Sequence, residues 1–557
     1  MARGSVAGKN EKTEIKNRSF SRDWFSRRVP ILHRPQPHVI LEKRLLRALA
    51  LEIGFDPHVK PHGLAPHRRD VSAMDPSQPT QPELRAEVLP SSTRNLLPWL
   101  VAVAFFMESL DTTILNTGVP VIAKALSVTA LAMKAVLASY TLALAIFIPI
   151  SGWMADRFGT RRVFSAAIGI FTLGSLLCGI STNIHELVFC RVLQGCGGAM
   201  MVPVGRLTLV RAFAKHELVR VMSFVSIPAL IGPMLGPVAG GLIVDYLHWR
   251  VIFFLNIPIG LLGLFMVYLR LPDYREQDTP PLDLLGLILF GSGIALLSYV
   301  LEVFGDHSLS VREIFSLLAI SAALLAGYWL HAKETPCPLL RLALFRLRTF
   351  RAAVGGGFIT RLGIGGVPFL LPLLYQIGLG YTPVQSGLLI MPQALAAMMM
   401  NAFMTRLLNR FGYRYILISN TFIIGVLLVL FATIGLRTPL WVIVLLAFLY
   451  GAFSTLQYTS MNTLVYADVV EEDTSAASTI FATMQQMALS FGVAIAGLAT
   501  AFFLPEHIWS VPVIFIHGIH KAFIALGVLT VVSTVVFRNL RRRDGLSISR
   551  QKLVHAG

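Results

Sequence analysis

The chain has 557 residues, of which 55% are hydrophobic and 14% charged, and its mean hydropathy is +0.66. Soluble proteins carry about 25% charged residues, so this composition excludes a soluble enzyme. The formal net charge of +18 would suggest nucleic acid as the partner of a soluble protein, but in a membrane protein such a charge is typical of cytoplasmic loops, and we expect no nucleic acid. The four scattered cysteines form neither a disulfide framework nor a metal site.

Residues 1–95 form a polar, proline-rich and basic tail without an apolar run long enough to cross a membrane. We predict that this tail is disordered and that no cleavable signal precedes the first span. Two alternatives stay open. The segment 39–55 has the pattern of an amphipathic helix on the membrane surface, and Met74 is a candidate start codon because a short polar leader follows it.

From Leu96 onward, apolar runs of about 20 residues recur, which is the length that a helix needs to cross the hydrocarbon core. The alternating pattern of a barrel is absent, so the sequence predicts an all-α integral membrane protein. We place fourteen spans near 97–121, 135–154, 163–182, 187–210, 220–244, 251–270, 283–303, 314–332, 352–375, 384–407, 414–435, 440–464, 478–502 and 518–538.

Basic residues are distributed unevenly between the two sides of the predicted bundle. The connections after even-numbered spans and the C-terminal tail, counted together with the span ends that flank them, hold 22 Lys and Arg, whereas those after odd-numbered spans hold 6. Because cytoplasmic loops carry the excess of basic residues, we expect both termini in the cytoplasm and a multi-pass protein of the cytoplasmic (inner) membrane.

Span 1 carries Glu108 and Asp111 on one helical face, since they are three residues apart. A carboxylate in hydrocarbon is costly and persists where it lines a cavity, pairs with a cation or binds protons. Arg191 of span 4 lies at a similar depth, so we predict that it pairs with Asp111 and that protonation of Asp111 switches the pair. Two alternatives stay open, a static ion pair and a Glu108 that only faces an aqueous cleft.

The connection after span 2 combines glycines, one carboxylate and three arginines: Gly152, Asp156, Arg157, Gly159, Arg161 and Arg162. We expect Asp156 in a tight turn at the start of span 3, where a carboxylate suits the helix N-terminus and can pair with arginines. The two glycines would allow close approach and turning. Ordinary capping is the alternative to a functional loop.

Span 5 is rich in glycine and proline, namely Gly232, Pro233, Gly236, Pro237, Gly240 and Gly241. Glycines four residues apart let helices pack closely, and prolines bend a helix. The pattern predicts a bent, tightly packed helix. Ordinary packing of small residues, without meaning for export, is the alternative.

Further polar residues lie within the predicted spans. We expect Arg206 and Glu302 to extend toward the membrane interfaces. Arg361, near the middle of span 9, is a candidate cavity residue, as are Gln194 and Asn116.

A short motif occurs twice. Arg157-Phe158-Gly159-x-Arg161 follows span 2, and Arg410-Phe411-Gly412-x-Arg414 follows span 10. Each copy lies between the second and third spans of a six-span half if spans 7 and 8 are an inserted pair, which indicates duplication. The predicted organisation is a tail, a first six-helix bundle, the inserted pair, a second six-helix bundle and a basic cytoplasmic tail, with bounds 1–95, 96–272, 273–340, 341–540 and 541–557.

Several segments together resemble the major facilitator superfamily, and within it the fourteen-span drug:proton antiporters of the EmrB/QacA type. These segments are Leu110–Pro120, Gly152–Val163, Leu187–Gly197, Gly232–Gly241 and Trp249–Gly260. The resemblance implies two six-helix bundles around a cavity, a gating role for the loop after span 2 and an antiporter motif in span 5. The second-half loop departs from the pattern, since Asn409 stands where the first half has Asp156.

The predicted function is therefore proton-coupled efflux of amphipathic or cationic small molecules by alternating access, with protons, the substrate and the lipid bilayer as partners. The alternatives are an exporter or importer of one endogenous metabolite and, more remotely, a membrane enzyme or a scaffold. The sequence contains no phosphate-binding loop and no metal-ligand motif, so we expect no cofactor, no metal and no enzymatic activity, with the proton gradient as the energy source. The sequence does not identify an accessory efflux partner.

Overall fold

A computed structural model describes residues 91–276, 278–303, 309–504, 512–541 and 544–545. Residues 1–90 lie outside this description, and with them nearly all of the predicted tail, the segment 39–55 and Met74. Most of the C-terminal tail, from residue 546, also lies outside it. In the described ranges the regular structure is helical, and fourteen helices are long and apolar enough to cross a membrane. The predicted all-α membrane fold is confirmed.

Each predicted span corresponds to one helix of the structure, and most helices extend a few residues beyond the predicted ends. Two spans are interrupted: α6 has a break at Leu255, and α9 has a break at Gly365 and Gly366 and ends in a π-helical turn. The helices are α1 Ser91–Ala125, α2 Met133–Phe158, α3 Thr160–Ile180, α4 Ile184–Ala212, α5 Lys215–Tyr246, α6 Val251–Phe254 and Asn256–Arg270, α7 Leu284–Val303, α8 Val311–Glu334, α9 Arg348–Ile364, Val367–Leu373 and Leu374–Gly378, α10 Pro383–Phe411, α11 Tyr413–Phe431, α12 Leu440–Leu464, α13 Thr474–Phe503 and α14 Pro512–Phe537.

The packing of the first six helices recurs in the last six. In the first set, α1 packs on α5, α2 on α4 and α3 on α6; in the second set, α9 packs on α13, α10 on α12 and α11 on α14. The two copies of the sequence motif form matching turns, with φ +95° at Gly159 and +75° at Gly412. Both values lie in the left-handed region, where glycine is the favoured residue, so the two turns share a conformation as well as a sequence.

The two halves are joined at one end of the bundle. We call the end where α1 begins and α14 ends the terminal face, and the other end the opposite face. Near the opposite face a single apolar cluster contains buried residues of both halves, such as Ile122 and Phe369. Toward the terminal face the buried core divides into one cluster from residues 97–271 and another from residues 290–540. The halves therefore share one buried core at the opposite face and have separate buried cores toward the terminal face.

Polar contacts between the halves reinforce the closure of the opposite face. The Gln376 side chain donates to the Thr117 carbonyl at 2.8 Å, and the Val384 backbone N–H donates to Asp245 Oδ2 at 3.0 Å. Near the middle of α13, Ser490 Oγ lies 3.1 Å from the carbonyl oxygen of α2 residue Ala138. These hydrogen bonds link α1 to α9, α5 to α10 and α2 to α13, so they close three of the inter-half seams.

Helices α7 and α8 pack on each other, and α7 also packs on α2 and α13. Asp283, which precedes α7, fixes this pair at the terminal face. Its Oδ1 lies 2.7 Å from His331 Nε2 and accepts from the Gly286 N–H at 2.8 Å, and its Oδ2 accepts from the Leu339 N–H at 3.0 Å. Burial raises the pKa of the Asp283 carboxyl, but the hydrogen bonds, first that of His331, outweigh burial and leave this pKa below its ordinary value.

Candidate functional site

An ion pair lies in the interior of the first half. Arg191 Nη1 of α4 donates to Asp111 Oδ2 of α1 at 2.6 Å, and each residue exposes only 1% of its surface. The structure thus brings together the two residues that the sequence paired by depth. Because the pair is removed from solvent, its charges interact through a low dielectric, and the loss of either charge leaves the other uncompensated.

Three neutral side chains complete the cluster around this pair. Gln194 accepts from Arg191 Nη1 at 2.7 Å and donates to Asp111 Oδ1 at 2.8 Å and to Ser175 Oγ at 2.7 Å. Asn256 of α6 donates to Asp111 Oδ1 at 3.0 Å. The Asp111 carboxylate therefore accepts three hydrogen bonds from α4 and α6, which hold it in one orientation.

The cluster contains one predicted residue and adds residues that the sequence did not single out. Gln194, predicted as a cavity residue, is fully buried in the hydrogen-bonded cluster. Asn116, the other candidate on this half, is half-buried. Ser175 carried no sequence signal, and Asn256 was visible only as one position of the Trp249–Gly260 segment.

Tyr140 of α2 packs against the ion pair. Its ring centroid lies 4.2 Å from Arg191 Cζ, which is the geometry of a cation–π contact. The Tyr140 hydroxyl and Arg191 Nε have no hydrogen-bond partner in the described part of the chain. Two polar atoms beside the pair therefore lack a partner among the described residues.

Glu108 lies one turn before Asp111 and is half-buried, unlike Asp111. It interacts electrostatically with Asp111 and with Arg206 of α4. Arg206 is exposed, and its guanidinium lies 5.8 Å from the centroid of the Phe105 ring. The second carboxylate of α1 is thus the more accessible one.

In the second half, Arg361 of α9 is 2% exposed. Its Nη2 donates to Gln485 Oε1 at 3.2 Å, and the Tyr458 and Phe481 ring centroids lie 4.8 and 5.4 Å from its Cζ. No carboxylate pairs with Arg361 among the described residues. The two halves therefore each bury an arginine, but only the first half buries its counter-ion.

The predicted turn at Asp156 is wrong in its local structure. α2 continues to Phe158, so Asp156 lies in the last helical turn and not at the start of α3. Its carboxylate pairs with Arg211 of α4 at 2.8 Å, and Arg211 also contacts Glu276 at 3.1 Å. The expected pairing with the arginines beside Asp156 is not found among these contacts, because the end of α4 reaches Asp156 from another part of the fold.

The residues after α6 run along the α2–α3 turn. Asp273, rather than Asp156, accepts from the first turn of α3, through the Arg161 N–H at 3.1 Å. A Cβ at Gly159 would overlap the Asp273 carboxylate in its present position, and the positive φ of Gly159 favours glycine there. Gly152 has no atom within 4 Å of where a Cβ would lie, so the prediction of close approach there is wrong.

Arg161 is the arginine of this loop with clear contacts. Its guanidinium donates to the Tyr268 carbonyl at 2.5 Å and lies 5.1 Å from the centroid of the Tyr268 ring. The neighbouring Arg157 and Arg162 are exposed. These contacts of the loop all lie within the first half and the connection that follows α6.

The glycines of α5 form two close interfaces. A Cβ on Gly232, Gly236 or Gly240 would strike α1, at Ser109, Thr113 and the Ile114 carbonyl respectively. On another face, Gly241 meets the backbone of α10, and Gly387 of α10 meets the Pro237 carbonyl in return. The predicted close packing is therefore present. It joins α5 to its own half along three turns and to the other half at the opposite face.

Comparison with known proteins identifies the family of this bundle. The sequence model of the Major Facilitator Superfamily matches residues 101–493 and 353–555. The chain belongs to the major facilitator superfamily. Members of this superfamily are transporters, and this facilitator chain is a multi-pass membrane transporter that acts on small molecules.

Curated relatives are similar over most of the facilitator domain. The "Putative multidrug resistance protein MdtD" of Shigella sonnei (strain Ss046) and that of Escherichia coli (strain K12) are each 41% identical over 420 residues, covering 75% of this chain and 89% of the relative. The segments Gly198–Thr208 and Ser460–Leu464 carried a resemblance to this relative in the sequence, and it is confirmed.

Solved structures share the fold at low identity. A D-xylose-proton symporter is 14% identical with a TM-score of 0.57, covering 80% of this chain and 98% of the symporter. The POT family transporter PepTSo is 13% identical with a TM-score of 0.59, covering 82% and 98%. At such identity these likenesses establish the facilitator fold and no substrate.

Proposed function

We propose that this transporter exports amphipathic small molecules, cationic ones included, in exchange for protons, by alternating access across the cytoplasmic membrane. The observation that carries the proposal is the buried Asp111–Arg191 pair. A carboxylate inside a membrane helix is costly, so its retention in a hydrogen-bonded cluster calls for a function that uses its charge. Similarity to proteins named for multidrug resistance supports the substrate class.

Proton coupling follows from the two states of the pair. When Asp111 is ionised, Arg191 is neutralised and the cluster is satisfied. When Asp111 takes up a proton, Arg191 becomes an uncompensated buried cation, which costs several kcal/mol unless the helices move or a new partner arrives. Protonation therefore changes the relative free energies of two arrangements of α1 and α4, which is the physical requirement for coupling.

The closed opposite face supports alternating access. The inter-half contacts described above lie at or toward that face, whereas the apolar cores separate toward the terminal face. The excess of basic residues on the terminal side favours a cytoplasmic terminal face. In this arrangement substrate enters from the cytoplasm, and the contact between α5 and α10 at Gly241 and Gly387 must open for release on the other side.

The test uses inside-out membrane vesicles with an imposed pH gradient and a fluorescent cationic dye such as ethidium. Wild type should accumulate dye when the gradient is applied, and Asp111→Asn should lose this accumulation while remaining in the membrane. Asp283→Asn is the matched control, because it removes another buried carboxylate that pairs with a base outside the cluster. Gradient-driven uptake by Asp111→Asn equal to wild type would contradict the role of the pair.

A second measurement separates coupling from dye recognition. Purified wild-type protein should release protons on addition of dye in weakly buffered detergent solution, and Asp111→Asn should release none. Equal release from the two proteins would remove Asp111 as the coupling group and make Glu108 the next carboxylate to test, since it is the more accessible of the two.

A further inference from the structure

Arg361 is a buried cation whose described contacts leave its charge uncompensated. Its polar contacts are Gln485 Oε1 at 3.2 Å and Met461 Sδ at 3.9 Å, both neutral groups, and its Nε has no hydrogen-bond partner in the described chain. An isolated charge in low dielectric is strongly unfavourable. The rings of Tyr458 and Phe481 offset part of this cost, but a cation–π contact contributes only about 2 kcal/mol when desolvated.

The arrangement of these neighbours allows a hydrogen-bond acceptor to approach the edge of the Arg361 guanidinium. Aromatic rings attract a cation through their faces, whereas the N–H groups of arginine lie in the guanidinium plane and suit planar, two-oxygen acceptors. Gln485 occupies one N–H with its amide oxygen, and its own amide N–H groups can donate to the same acceptor. The cluster therefore offers several donors to one incoming anionic group.

The position of Arg361 is appropriate for a transported ligand. It lies thirteen residues into α9, roughly 20 Å from the terminal face, whereas Asp111 lies twenty residues into α1 and so about 10 Å deeper. Tyr458 and Gln485 are half-buried, in contrast to Arg361 itself. Gln485 precedes the inter-half contact of Ser490 by five residues on α13, so it lies on the terminal side of that contact.

We propose that Arg361, with Gln485 and Tyr458, binds an anionic group of the transported molecule, and that this group is a carboxylate. The proposal rests on the proposed function only in taking the bound molecule to be the transported one. It narrows the substrate class from amphipathic molecules in general to those that carry a carboxylate, alone or together with a cationic group.

The test compares a matched pair of probes, 1-naphthaleneacetate and the neutral 1-naphthaleneacetamide, by equilibrium binding to the purified full-length protein without a gradient. Wild type should bind the acid at least about tenfold more tightly than the amide. Arg361→Met, which keeps the apolar stem, should bind the two equally, and Arg361→Lys should retain part of the preference. Tyr450→Phe, on the same helix as Tyr458, should keep the wild-type ratio.

A thermal melt without ligand distinguishes binding from a structural role. If Arg361 binds a ligand and does not stabilise the fold, Arg361→Met removes an uncompensated buried charge. The melting temperature of this variant should then be at or above that of wild type. The proposal is overturned if wild type shows no preference for the acid at millimolar probe, or if Arg361→Met keeps the preference. If proton-coupled export were disproved, the ratio of the affinities for the acid and the amide would not change. If wild type showed no preference for the acid, coupling through Asp111 would not be affected.

Discussion

The two halves of this transporter bury one arginine each, but they surround it differently. Arg191 meets a carboxylate, a glutamine and a tyrosine ring, and its charge is neutralised. Arg361 meets a glutamine, a methionine and two rings. Because the helix pairings of the halves match, the difference lies in side chains rather than in the fold. This difference fits the two proposals made above, that the first half carries the titrating group and that the second half binds the charged group of a ligand.

The largest expected effect comes from breaking the neutral pair. Arg191→Met should leave the Asp111 carboxylate buried without a counter-ion and lower the free energy of unfolding by about 3–5 kcal/mol. The variant should also lose gradient-driven dye transport. Adding Asp111→Asn removes the stranded charge, so the double variant should recover most of the melting temperature but none of the transport. The check is thermal unfolding of the four proteins in one detergent. Independent, additive losses would show that the two residues are not a coupled pair.

The next effect tests whether close helix packing differs between the halves. Gly240→Ala should be severe, since its Cβ would overlap the Ile114 carbonyl of α1. Gly492→Ala, at the matching α9–α13 contact, should be milder because its Cβ would lie 2.9 Å from the Arg361 carbonyl oxygen. Gly152→Ala, in open space, is the control and should melt like wild type. Folded yield and melting temperature should therefore rank Gly240→Ala lowest. The reverse order would contradict the packing argument.

A third change makes the second half resemble the first. Gln485→Glu places a carboxylate next to the Arg361 guanidinium, so the cation gains an internal counter-ion. We expect a melting temperature at or above that of wild type and at least a tenfold loss of 1-naphthaleneacetate binding, because the acid must then displace a bound carboxylate. Binding of the acid equal to wild type would show that Arg361 does not take up the ligand's charge.

The smallest effect compares two carboxylates at the terminal face. The Asp156 side chain is 32% exposed in its ion pair, whereas that of Asp283 is 4% exposed. At pH 7, Asp283→Asn should lower the melting temperature by a few degrees, and Asp156→Asn should change it little, because exposed ion pairs contribute about 0–1 kcal/mol.

The Asp283 effect should also depend on pH. Its pKa is lowered in the folded state, so its stabilisation is complete above the unfolded value near 4 and is lost as pH falls through the lower folded value. The difference between wild type and Asp283→Asn should therefore shrink as the pH of the melt falls below about 4. A difference that stays constant from pH 7 to pH 3 would contradict this origin.

Much of the fold could be predicted from the sequence because the signals are local. Twenty apolar residues in a row make a membrane helix whatever surrounds them, so all fourteen spans were placed. The Arg-Phe-Gly-x-Arg motif and its glycine turn likewise depend on neighbouring residues only. The pairing of Asp111 with Arg191 was also accessible, since depth can be counted along two helices and few other charges lie that deep.

What only the tertiary structure decided is which side chains meet across distant segments. Asp156 pairs with Arg211 rather than with its sequence neighbours, and Gln194 belongs to the hydrogen-bonded cluster around Asp111. These outcomes depend on the rotation of each helix about its axis and on connections such as the one after α6, which a hydropathy pattern does not specify. The lack of a counter-ion for Arg361 among the described residues belongs to the same class, because it depends on which side chains pack around the guanidinium.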